Sequence, residues 1–418
     1  MVTRDPSCED DFDHASLSSD EALRRILDHI QPVTGFERLA LRSALGRVLS
    51  DAIISPFNVP SHTNSAMDGY AVRIDDVNAT GTTELKVIGS AFAGRVFDGT
   101  LMHGEAVRIM TGAVMPQGSD TVVMQEHAQV IADTIVIDAN HKRGQNVRAA
   151  GEDLKTGQCV LEAGHRIGAA ELGLIASLGL GEVNVRRRVR VAYFSTGDEL
   201  KSIGQPLGVG EIYDSNRYTL YAMLEQFGAD IIDLGVVRDT REAVENALTQ
   251  AAADADMVIT SGGVSVGEAD FIKEVLADIG EVRFWKVAMK PGRPLAFGNI
   301  GNARFFGLPG NPVSVMVTFC QFVEPALQKL AGSDGKVPIV IEARAAERLK
   351  KRPGRMEYQR GILTRGSDGV LEVVPTGDQG SGILHSMSVA DCFIVLPVES
   401  GNVEAGNLVT VQPFAGLV

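Results

Sequence analysis

The stretch Thr260-Ser-Gly-Gly-Val-Ser-Val-Gly-Glu-Ala-Asp270 decides the fold that we predict for the central part of the chain. It begins where the apolar run Met257-Val258-Ile259 ends. It precedes apolar residues spaced as on one face of a helix: Phe271, Ile272, Val275, Leu276 and Ile279. A glycine-rich loop between a strand and a helix can turn tightly and approach a ligand, and the N–H groups at a helix start attract anions. On this loop alone, an ordinary glycine-rich turn with a capping Asp is the alternative.

Acidic residues follow the predicted strands of the same region. Strands are predicted at Val189–Phe194, Ile231–Val237 and Met257–Thr260, and helical patterns alternate with them. This alternation predicts a parallel sheet covered by helices, and such sheets bind ligands at the carboxyl ends of their strands. The acidic residues near these ends are Asp198, Glu199, Asp239 and Asp270. A single loop carboxylate is usually solvated or a cap, but several at one edge indicate a site for a divalent metal and a phosphate compound.

Two later segments carry groups that would neutralise an anion at this edge. The segment Trp285-Lys-Val-Ala-Met-Lys-Pro-Gly-Arg-Pro294 places basic side chains around a rigid turn, and plain surface charge is the alternative. The segment Gly307-Leu-Pro-Gly-Asn-Pro312 precedes an apolar helix that we predict to begin near Val313. Pro312 suits the first turn of that helix, and the free N–H groups there form a second anion-binding cradle.

The other segments predict a chain of several domains. A capping box, Ser18-x-x-Glu21, begins a first helix, a second helix is predicted over Leu39–Leu49, and both are expected to pack with a helix over Ala169–Leu178. Short β-type runs fill the region between the N-terminal helices and this later helix, and β-type runs resume from Pro338. The predicted units are a disordered 1–16, a discontinuous linker domain of 17–53 plus 154–187, an inserted β-rich domain 54–153, an α/β domain 188–335 and a C-terminal β domain 336–418.

The composition argues against several classes of protein. The chain has 418 residues with a formal net charge of −14, which argues against nucleic-acid binding. The one dense basic run, Arg186-Arg-Arg-Val-Arg190, is interpreted as a solvated linker and strand start, with recognition of nucleic acid as the alternative. The four widely spaced cysteines predict neither a zinc site nor a disulfide framework. We find no apolar signal core and no membrane-length apolar run, and we therefore expect a cytoplasmic protein without a membrane partner.

Sequence motifs along the chain resemble those of one enzyme family. The motifs are Asn64-Ser-Ala-Met-Asp-Gly-Tyr-Ala71, Arg108-Ile-Met-Thr-Gly-Ala113, Ser195-Thr-Gly-Asp-Glu-Leu200, Ser261-Gly-Gly-Val-Ser-Val-Gly-Glu-Ala-Asp270 and Gly307-Leu-Pro-Gly-Asn-Pro312. They occur in the order found in molybdopterin molybdenumtransferases, the MoeA family, which includes the E domain of gephyrin. The resemblance covers nearly the whole chain from about Leu17. Two departures are Thr63, where an Asp is common, and Asp391-Cys392, where Asn-Gly is usual.

The resemblance implies an activity and a set of site residues. Family members insert molybdate into adenylylated molybdopterin and release AMP in a Mg²⁺-dependent step. It implies that the catalytic residues are Asp68, Glu199, Asp239 and Asp270, of which the last three hold the metal. Together with the loops above, it predicts substrate contacts from Thr111, Asp153, Thr196, Gly197, Asp198, Ser261, Gly262, Gly263, Gly267, Lys286, Pro309, Gly310, Asn311 and Pro312. It predicts molybdate contacts from Lys290, Pro291, Arg293, Ser314, Arg355 and Ser386.

The resemblance also implies partners and leaves alternatives open. We expect a homodimer whose active site is shared, because Asp68 and Thr111 lie far from Asp239 and Asp270 along the chain. A molybdopterin adenylyltransferase would act upstream, and a molybdoenzyme or a chaperone would take the product. The alternatives are a molybdopterin adenylyltransferase, a gephyrin-like scaffold and a tungsten-specific relative.

Overall fold

The computed structural model describes residues 16–262, 271–333, 335 and 338–414. The predicted disordered segment 1–16 lies, apart from Ser16, outside the described residues. The described chain forms several sheets with helices concentrated around one of them, and the predicted α/β and β multidomain fold is confirmed. No helix among the described residues is long and apolar enough to cross a membrane.

The first helix, α1 (Ser19–Asp28), begins at the predicted capping box. The Ser18 hydroxyl accepts a hydrogen bond of 3.2 Å from the Glu21 N–H. The helix buries Ala22 and Ile26 in the core of the α/β unit, against the helical turns at residues 319–330. The expectation that this helix packs with the helix near residue 170 is therefore wrong.

The linker unit consists of short strands around one helix. Its elements are β1 (Phe36–Ala40), a 3-10 turn (Leu41–Ala44), β2 (Ile53–Ile54), β11 (Cys159–Leu161), α2 (Ala169–Ser177) and β12 (Glu182–Arg186). The helix predicted over Leu39–Leu49 is wrong, because β1 pairs antiparallel with β12 and α2 packs on the 3-10 turn. Leu39, Leu41 and Leu49 pack in a core shared with Ile175 and Val183, whereas Leu45 is exposed.

The inserted unit is a β-sheet, as its short runs predicted. Its strands are β3 (Asn64–Ser65), β4 (Gly69–Val72), β5 (Thr82–Ala91), β6 (Glu105–Ile109), β7 (Thr121–Met124), β8 (Ala128–Ile131), β9 (Thr134–Asp138) and β10 (Val147–Arg148), with 3-10 turns at Ile74–Asp76 and Gln125–His127. The main sheet has the order β7-β4-β6-β5-β9-β8, and β3 pairs with β10 beside it. Separate apolar clusters cover the two faces of this sheet.

The α/β unit carries the longest series of parallel strands. Its elements are β13 (Arg190–Thr196), β14 (Leu200–Lys201), β15 (Ile212–Tyr213), α3 (Ser215–Phe227), β16 (Asp230–Val237), α4 (Arg241–Asp254), β17 (Met257–Ser261), α5 (Phe271–Ile279), β18 (Glu281–Lys286), β19 (Met289–Lys290), β20 (Pro294–Ile300), β21 (Ala303–Leu308), α6 (Pro312–Thr318), a π-helical turn (Phe319–Val323) and α7 (Glu324–Leu330).

The main sheet of the α/β unit has the order β16-β13-β17-β21-β20-β18. Strands β16, β13, β17 and β21 run parallel, whereas β20 is antiparallel to both of its neighbours. The prediction of a parallel sheet is thus confirmed for the strands recognised in the sequence, and it missed the antiparallel hairpin β20–β21. Strand β18 is antiparallel to β20, and β20 is antiparallel to β21. Strand β18 therefore runs in the same direction as β13 and β17 and ends at the same edge of the sheet.

The C-terminal unit is a closed sheet joined to the α/β unit. Its elements are β22 (Ile341–Ala345), β23 (Met356–Arg365), β24 (Leu371–Pro375), α8 (His385–Ser388), β25 (Cys392–Leu396) and β26 (Leu408–Pro413). The order is β19-β23-β24-β22-β26-β25, and β23 also pairs with β25. Strand β19 belongs to the turn after β18, so Lys290 pairs in register with Glu357 across the junction of the two units.

Candidate active site

One edge of the α/β sheet carries most of the predicted site residues. The segments at this edge are Thr196–Glu199 after β13, Ser261 and Gly262 after β17, Pro309–Pro312 after β21, Asp239 after β16 and Lys286 at the end of β18. The predicted residues Gly263, Gly267 and Asp270 lie outside the described residues.

The acidic end of this edge brings Asp239 close to Asp198 and Glu199. Burial raises the pKa of the Asp239 carboxyl, and the negative charges of Asp198 and Glu199 raise it further. A carboxylate that is disfavoured by burial and by like charges would be stabilised by a bound cation. No set of acidic, histidine and cysteine side chains within the described ranges is close enough to form a complete metal site. Mg²⁺ fits such an open set, because it commonly takes one or two carboxylates and completes its shell with phosphate and water oxygens.

Glycines let neighbouring loops approach each other at the middle of this edge. Gly262 has a φ of +91°, and a Cβ at this position would lie 2.7 Å from the Thr196 carbonyl oxygen. A Cβ at Gly197 would lie 2.7 Å from an oxygen of Glu199, so this carboxylate folds over the backbone of its own loop. The Gly262 contact is with backbone and requires glycine, whereas the Gly197 contact is with the flexible end of Glu199; the absence of a Cβ at Gly262 leaves the edge open to a ligand at the level of the backbone.

Asn216 holds two of the edge loops together. Its side-chain amide donates to the Ser261 hydroxyl at 2.9 Å and to the Gly310 carbonyl at 2.7 Å. Asn311 precedes α6 as its N-cap residue and Pro312 is the first helical residue, as the sequence predicted. Asn216 was not among the predicted site residues, although it ends the segment Tyr213-Asp-Ser-Asn216 at the start of a predicted helix.

Basic residues gather at the other end of the edge, where the α/β unit meets the C-terminal unit. The Lys290 amino group is 3.7 Å from the Glu357 carboxylate, and its side chain is half-exposed. Lys351 is buried, and its amino group donates to the Arg355 carbonyl at 2.9 Å and to the Ser400 carbonyl at 3.2 Å. Burial lowers the pKa of Lys351, and the nearby charges of Lys290 and Arg355 contribute to this shift. Lys290 and Arg355 thus both lie near Lys351 at this junction.

The turn at 290–293 packs on α6. A Cβ at Gly292 would lie 2.6 Å from the Thr318 hydroxyl and 3.6 Å from the Ser314 carbonyl oxygen. The Arg293 carbonyl accepts a hydrogen bond of 2.8 Å from the Val287 N–H. The turn that contains Pro291 and Gly292 therefore lies beside Ser314, which is buried at the start of α6.

Ser386 contacts a buried arginine that sequence analysis did not select. The Arg360 side chain is 1% exposed, and its Nε donates to the Ser386 hydroxyl at 2.9 Å. The same hydroxyl donates to the Ile383 carbonyl at 2.6 Å, so it is already bonded on both sides. Burial lowers the pKa of the Arg360 guanidinium to about 10. Arg360 also donates to the Gly380 carbonyl at 3.0 Å, and it thereby fixes the loop that precedes α8.

Asp68 and Thr111 lie on the inserted sheet. The Asp68 carboxylate accepts hydrogen bonds from the Thr111 N–H at 2.7 Å and from the Thr111 hydroxyl at 2.8 Å. These bonds hold the pKa of Asp68 below its usual range. The pair lines an open cavity of about 360 Å³ with Met124 and Glu126. Asp153 is exposed next to the bridge between Val59 and Leu154, where the inserted unit joins the linker.

Family comparisons match almost the whole chain. The MoeA N-terminal region (domain I and II) matches residues 17–179, a probable molybdopterin binding domain matches 192–329, and the MoeA C-terminal region (domain IV) matches 342–414. A molybdopterin molybdenumtransferase from Haemophilus influenzae is 47% identical over 96% of this chain and 100% of the relative. The chain belongs to the molybdopterin molybdenumtransferase family. It is therefore a transferase of molybdenum cofactor biosynthesis, and the predicted family is confirmed.

Other members of the molybdopterin molybdenumtransferase family agree in sequence and structure. Gephyrin from Dictyostelium discoideum is 34% identical and covers 93% of this chain, which spans 61% of that protein. The crystal structure of a molybdopterin biosynthesis moeA protein from Pyrococcus horikoshii superposes with a TM-score of 0.83 at 29% identity. It covers 96% of this chain and 100% of its own. The match extends through the linker, inserted, α/β and C-terminal units.

Proposed function

We propose that the protein inserts molybdate into adenylylated molybdopterin and releases AMP in a step that requires Mg²⁺. One observation carries the proposal: a single sheet edge holds an acidic group at one end and a basic group at the other. Asp239 represents the acidic end and Lys290 the basic end. The proposed substrates are a polyanionic pterin nucleotide, which needs a cation at its phosphates, and a dianionic oxyanion, which needs positive charge.

Mg²⁺ at the acidic end would supply charge neutralisation at the phosphoryl group that reacts. Asp239, Glu199 and Asp198 would hold it, together with phosphate oxygens of the substrate. The glycine at 262 leaves room for phosphate oxygens close to the backbone, because no Cβ stands there. The bond that breaks joins the two phosphates of the adenylylated pterin, and water supplies the oxygen and the proton that the separated phosphates require.

Molybdate is assigned to the junction of the α/β and C-terminal units. Lys290 and Arg355 supply positive charge there, and Ser314 lies beside the turn that follows Lys290. Arg360 acts behind them, because its buried guanidinium fixes Ser386 and the loop in front of α8. The Ser386 hydroxyl must give up its bond to the Ile383 carbonyl before it can donate to an oxyanion.

A reconstitution assay tests the proposed reaction. Purified protein is mixed with adenylylated molybdopterin, molybdate and Mg²⁺, and both AMP and the cofactor formed are measured. We expect AMP release that depends on both molybdate and Mg²⁺. AMP transfer from ATP to free molybdopterin would instead identify an adenylyltransferase. A scaffold without catalytic activity would release no AMP under any of these conditions.

We also propose that two copies of the chain share each active site. Asp68 and Thr111 lie on the inserted sheet, whereas Asp239 lies on the α/β sheet, and the linker unit separates these two in the chain. Ile203, Leu207 and Val209 expose apolar side chains in the loop after the acidic residues, as an interface with a second copy would require. A two-fold dimer would bring the inserted sheet of one copy to the α/β edge of the other.

Co-expression of two inactive variants tests the shared site. Asp68→Ala and Asp239→Ala should each give inactive homodimers. In a mixed dimer one site carries both changes and the other carries neither, so part of the wild-type activity should return. Mixed dimers that form from folded chains and remain inactive would contradict the arrangement.

The upstream partner in this scheme is a molybdopterin adenylyltransferase. A molybdoenzyme or a chaperone receives the cofactor, and the cytoplasm is the proposed compartment.

A further inference from the structure

A cavity lined by arginines lies at the opposite edge of the α/β sheet from the candidate active site. It has a volume of about 30 Å³ and sits where the linker unit meets the start of β13 and the end of α3. Its lining includes Arg47, Arg166, Arg186, Arg187 and Arg188. Among the described residues, its lining contains no acidic side chain. The fold therefore concentrates positive charge from separate segments of the chain at one point.

Two of these arginines have carboxylate partners. Arg47 donates to Glu37, and Arg187 donates to both oxygens of Asp256 at 2.7 and 2.8 Å. The Asp256 pair raises the pKa of Arg187, as expected for a bidentate contact. The charges of these two guanidinium groups are neutralised within the fold. Arg47 and Arg187 therefore line the wall of the cavity and are not expected to bind a ligand.

Arg186 has a buried N–H donor that no described residue accepts from. Its Nη1 lies 3.4 Å from the Val33 carbonyl, a weak contact. Its Nε is buried and has no hydrogen-bond partner in the part of the chain that the structure describes. A Cβ at Gly332 would lie 2.3 Å from this Nε, so the glycine lets the Arg186 side chain pack against its backbone. A buried donor without a partner is costly unless a ligand or water accepts from it.

Arg166 and Arg188 complete the group. Arg166 donates to the Gly46 carbonyl at 2.7 Å and stacks at 5.2 Å over the Phe227 ring. Burial lowers the pKa of Arg166, and the charge of Glu324, which opposes that shift, lies nearby without a hydrogen bond to it. Arg188 is exposed at the rim and donates to one carbonyl at 3.1 Å. Each of the three has donors to spare, and no carboxylate among the described residues hydrogen-bonds to them.

We propose that this cavity binds a small inorganic anion of the phosphate class, held by Arg166, Arg186 and Arg188. The volume exceeds the roughly 10–15 Å³ that a single water requires, but it excludes a nucleotide or a pterin. Guanidinium groups suit such a ligand, because their planar donors match oxyanion geometry. The ion would tie the linker segment at residues 46–48 to the end of α3, and so fix how the linker joins the α/β unit.

Inorganic phosphate is the probe. The full chain is titrated with phosphate by calorimetry, and chloride at equal ionic strength serves as the reference. We expect saturable phosphate binding that Arg186→Gln weakens at least tenfold, and that Arg188→Gln weakens in the same direction. Arg190→Gln is the matched control, because Arg190 belongs to the same basic run but does not line the cavity. The phosphate affinity of Arg190→Gln should equal that of the wild type.

Two further measurements separate this site from the proposed active site, which can also take phosphate. Crystals grown with selenate should show an anomalous peak between Arg166 and Arg186. AMP release should persist in Arg188→Gln, whose side chain is exposed and remote from the substrate edge. Wild-type binding of phosphate that does not exceed binding of chloride at equal ionic strength would overturn the proposal. So would an affinity unchanged in both the Arg186 and Arg188 variants, or selenate found only elsewhere.

Discussion

Replacing Asp239 by Asn should stabilise the fold and abolish the proposed chemistry. The pKa of Asp239 is raised by burial and by Asp198 and Glu199, so the ionised carboxylate is disfavoured in the folded state. Each like-charge contact at a partly exposed site costs about 0.2–1 kcal/mol, and relieving both should raise the free energy of unfolding by about 1 kcal/mol. A functional acid that weakens its own fold in this way is expected where a site binds a cation.

The pH dependence of this stabilisation follows from the direction of the pKa shift. The folded chain holds the Asp239 proton more tightly than the unfolded chain does. The wild type therefore loses stability as the pH rises from the ordinary aspartate pKa to the raised one. Asp239→Asn has no such loss. The difference in stability between the two proteins should be largest at neutral pH and should vanish in acid.

Urea unfolding followed by tryptophan fluorescence measures this difference. Trp285, the single tryptophan of the chain, lies on β18 of the same sheet. Asp133→Asn is the control, because it removes an exposed charge from the inserted unit. In parallel, Mg²⁺-dependent AMP release should fall about 100-fold or more, the scale of losing one group that stabilises transition-state charge. A variant that is no more stable than wild type at neutral pH, or that retains turnover, would refute the reasoning.

Further predictions concern the other parts of the site and the first helix. Asp68→Asn keeps an oxygen that accepts from Thr111 but loses the charge, so turnover should fall while the thermal unfolding midpoint stays close to wild type. Arg360→Lys cannot reproduce the bonds to Ser386 and Gly380, and the molybdate concentration for half-maximal turnover should rise about tenfold, the effect of about 1.4 kcal/mol. Arg365→Lys, exposed at the end of the same strand, should leave that concentration unchanged, and an equal effect in both variants would contradict the role of Arg360. Ser18→Ala removes the cap of α1 and should lower the free energy of unfolding by about 1 kcal/mol in urea titrations, whereas no change would show that the cap is dispensable.

The elements that the sequence predicted well are those whose partners lie nearby in the chain. The capping box at Ser18 and the parallel strands of the α/β unit follow from local periodicity and short connections. The helix predicted over Leu39–Leu49 failed for the opposite reason. Its leucines have helical spacing, but the backbone of β1 is paired with β12 from a distant part of the chain. Hydrogen bonds between remote segments override a local pattern, and a single sequence carries no direct record of them.

The candidate site was predictable where its residues follow a strand and a glycine-rich loop. The grouping of Asp198, Glu199 and Asp239 follows from parallel topology alone, because the strands end at one edge. The meeting of Lys290 with Arg355 came only from family resemblance. It depends on β19 leaving the α/β unit and joining β23 of the C-terminal sheet, a pairing that no spacing in the sequence indicates.

Strand β23 explains why the basic part of the site escaped the sequence patterns. A strand with one face in the core is recognised by alternating apolar residues, but β23 buries Glu357, Gln359 and Arg360. Each of them has a partner outside the strand: Glu357 lies 3.7 Å from the Lys290 amino group, Gln359 donates to the Lys350 carbonyl at 2.8 Å, and Arg360 donates to Ser386. Burying such groups costs free energy unless partners are supplied from elsewhere in the fold. The polar residues that interrupt the apolar pattern of β23 thus also contact Lys290 and Ser386. A break in the hydrophobic pattern of a core strand is therefore itself an indication of a site.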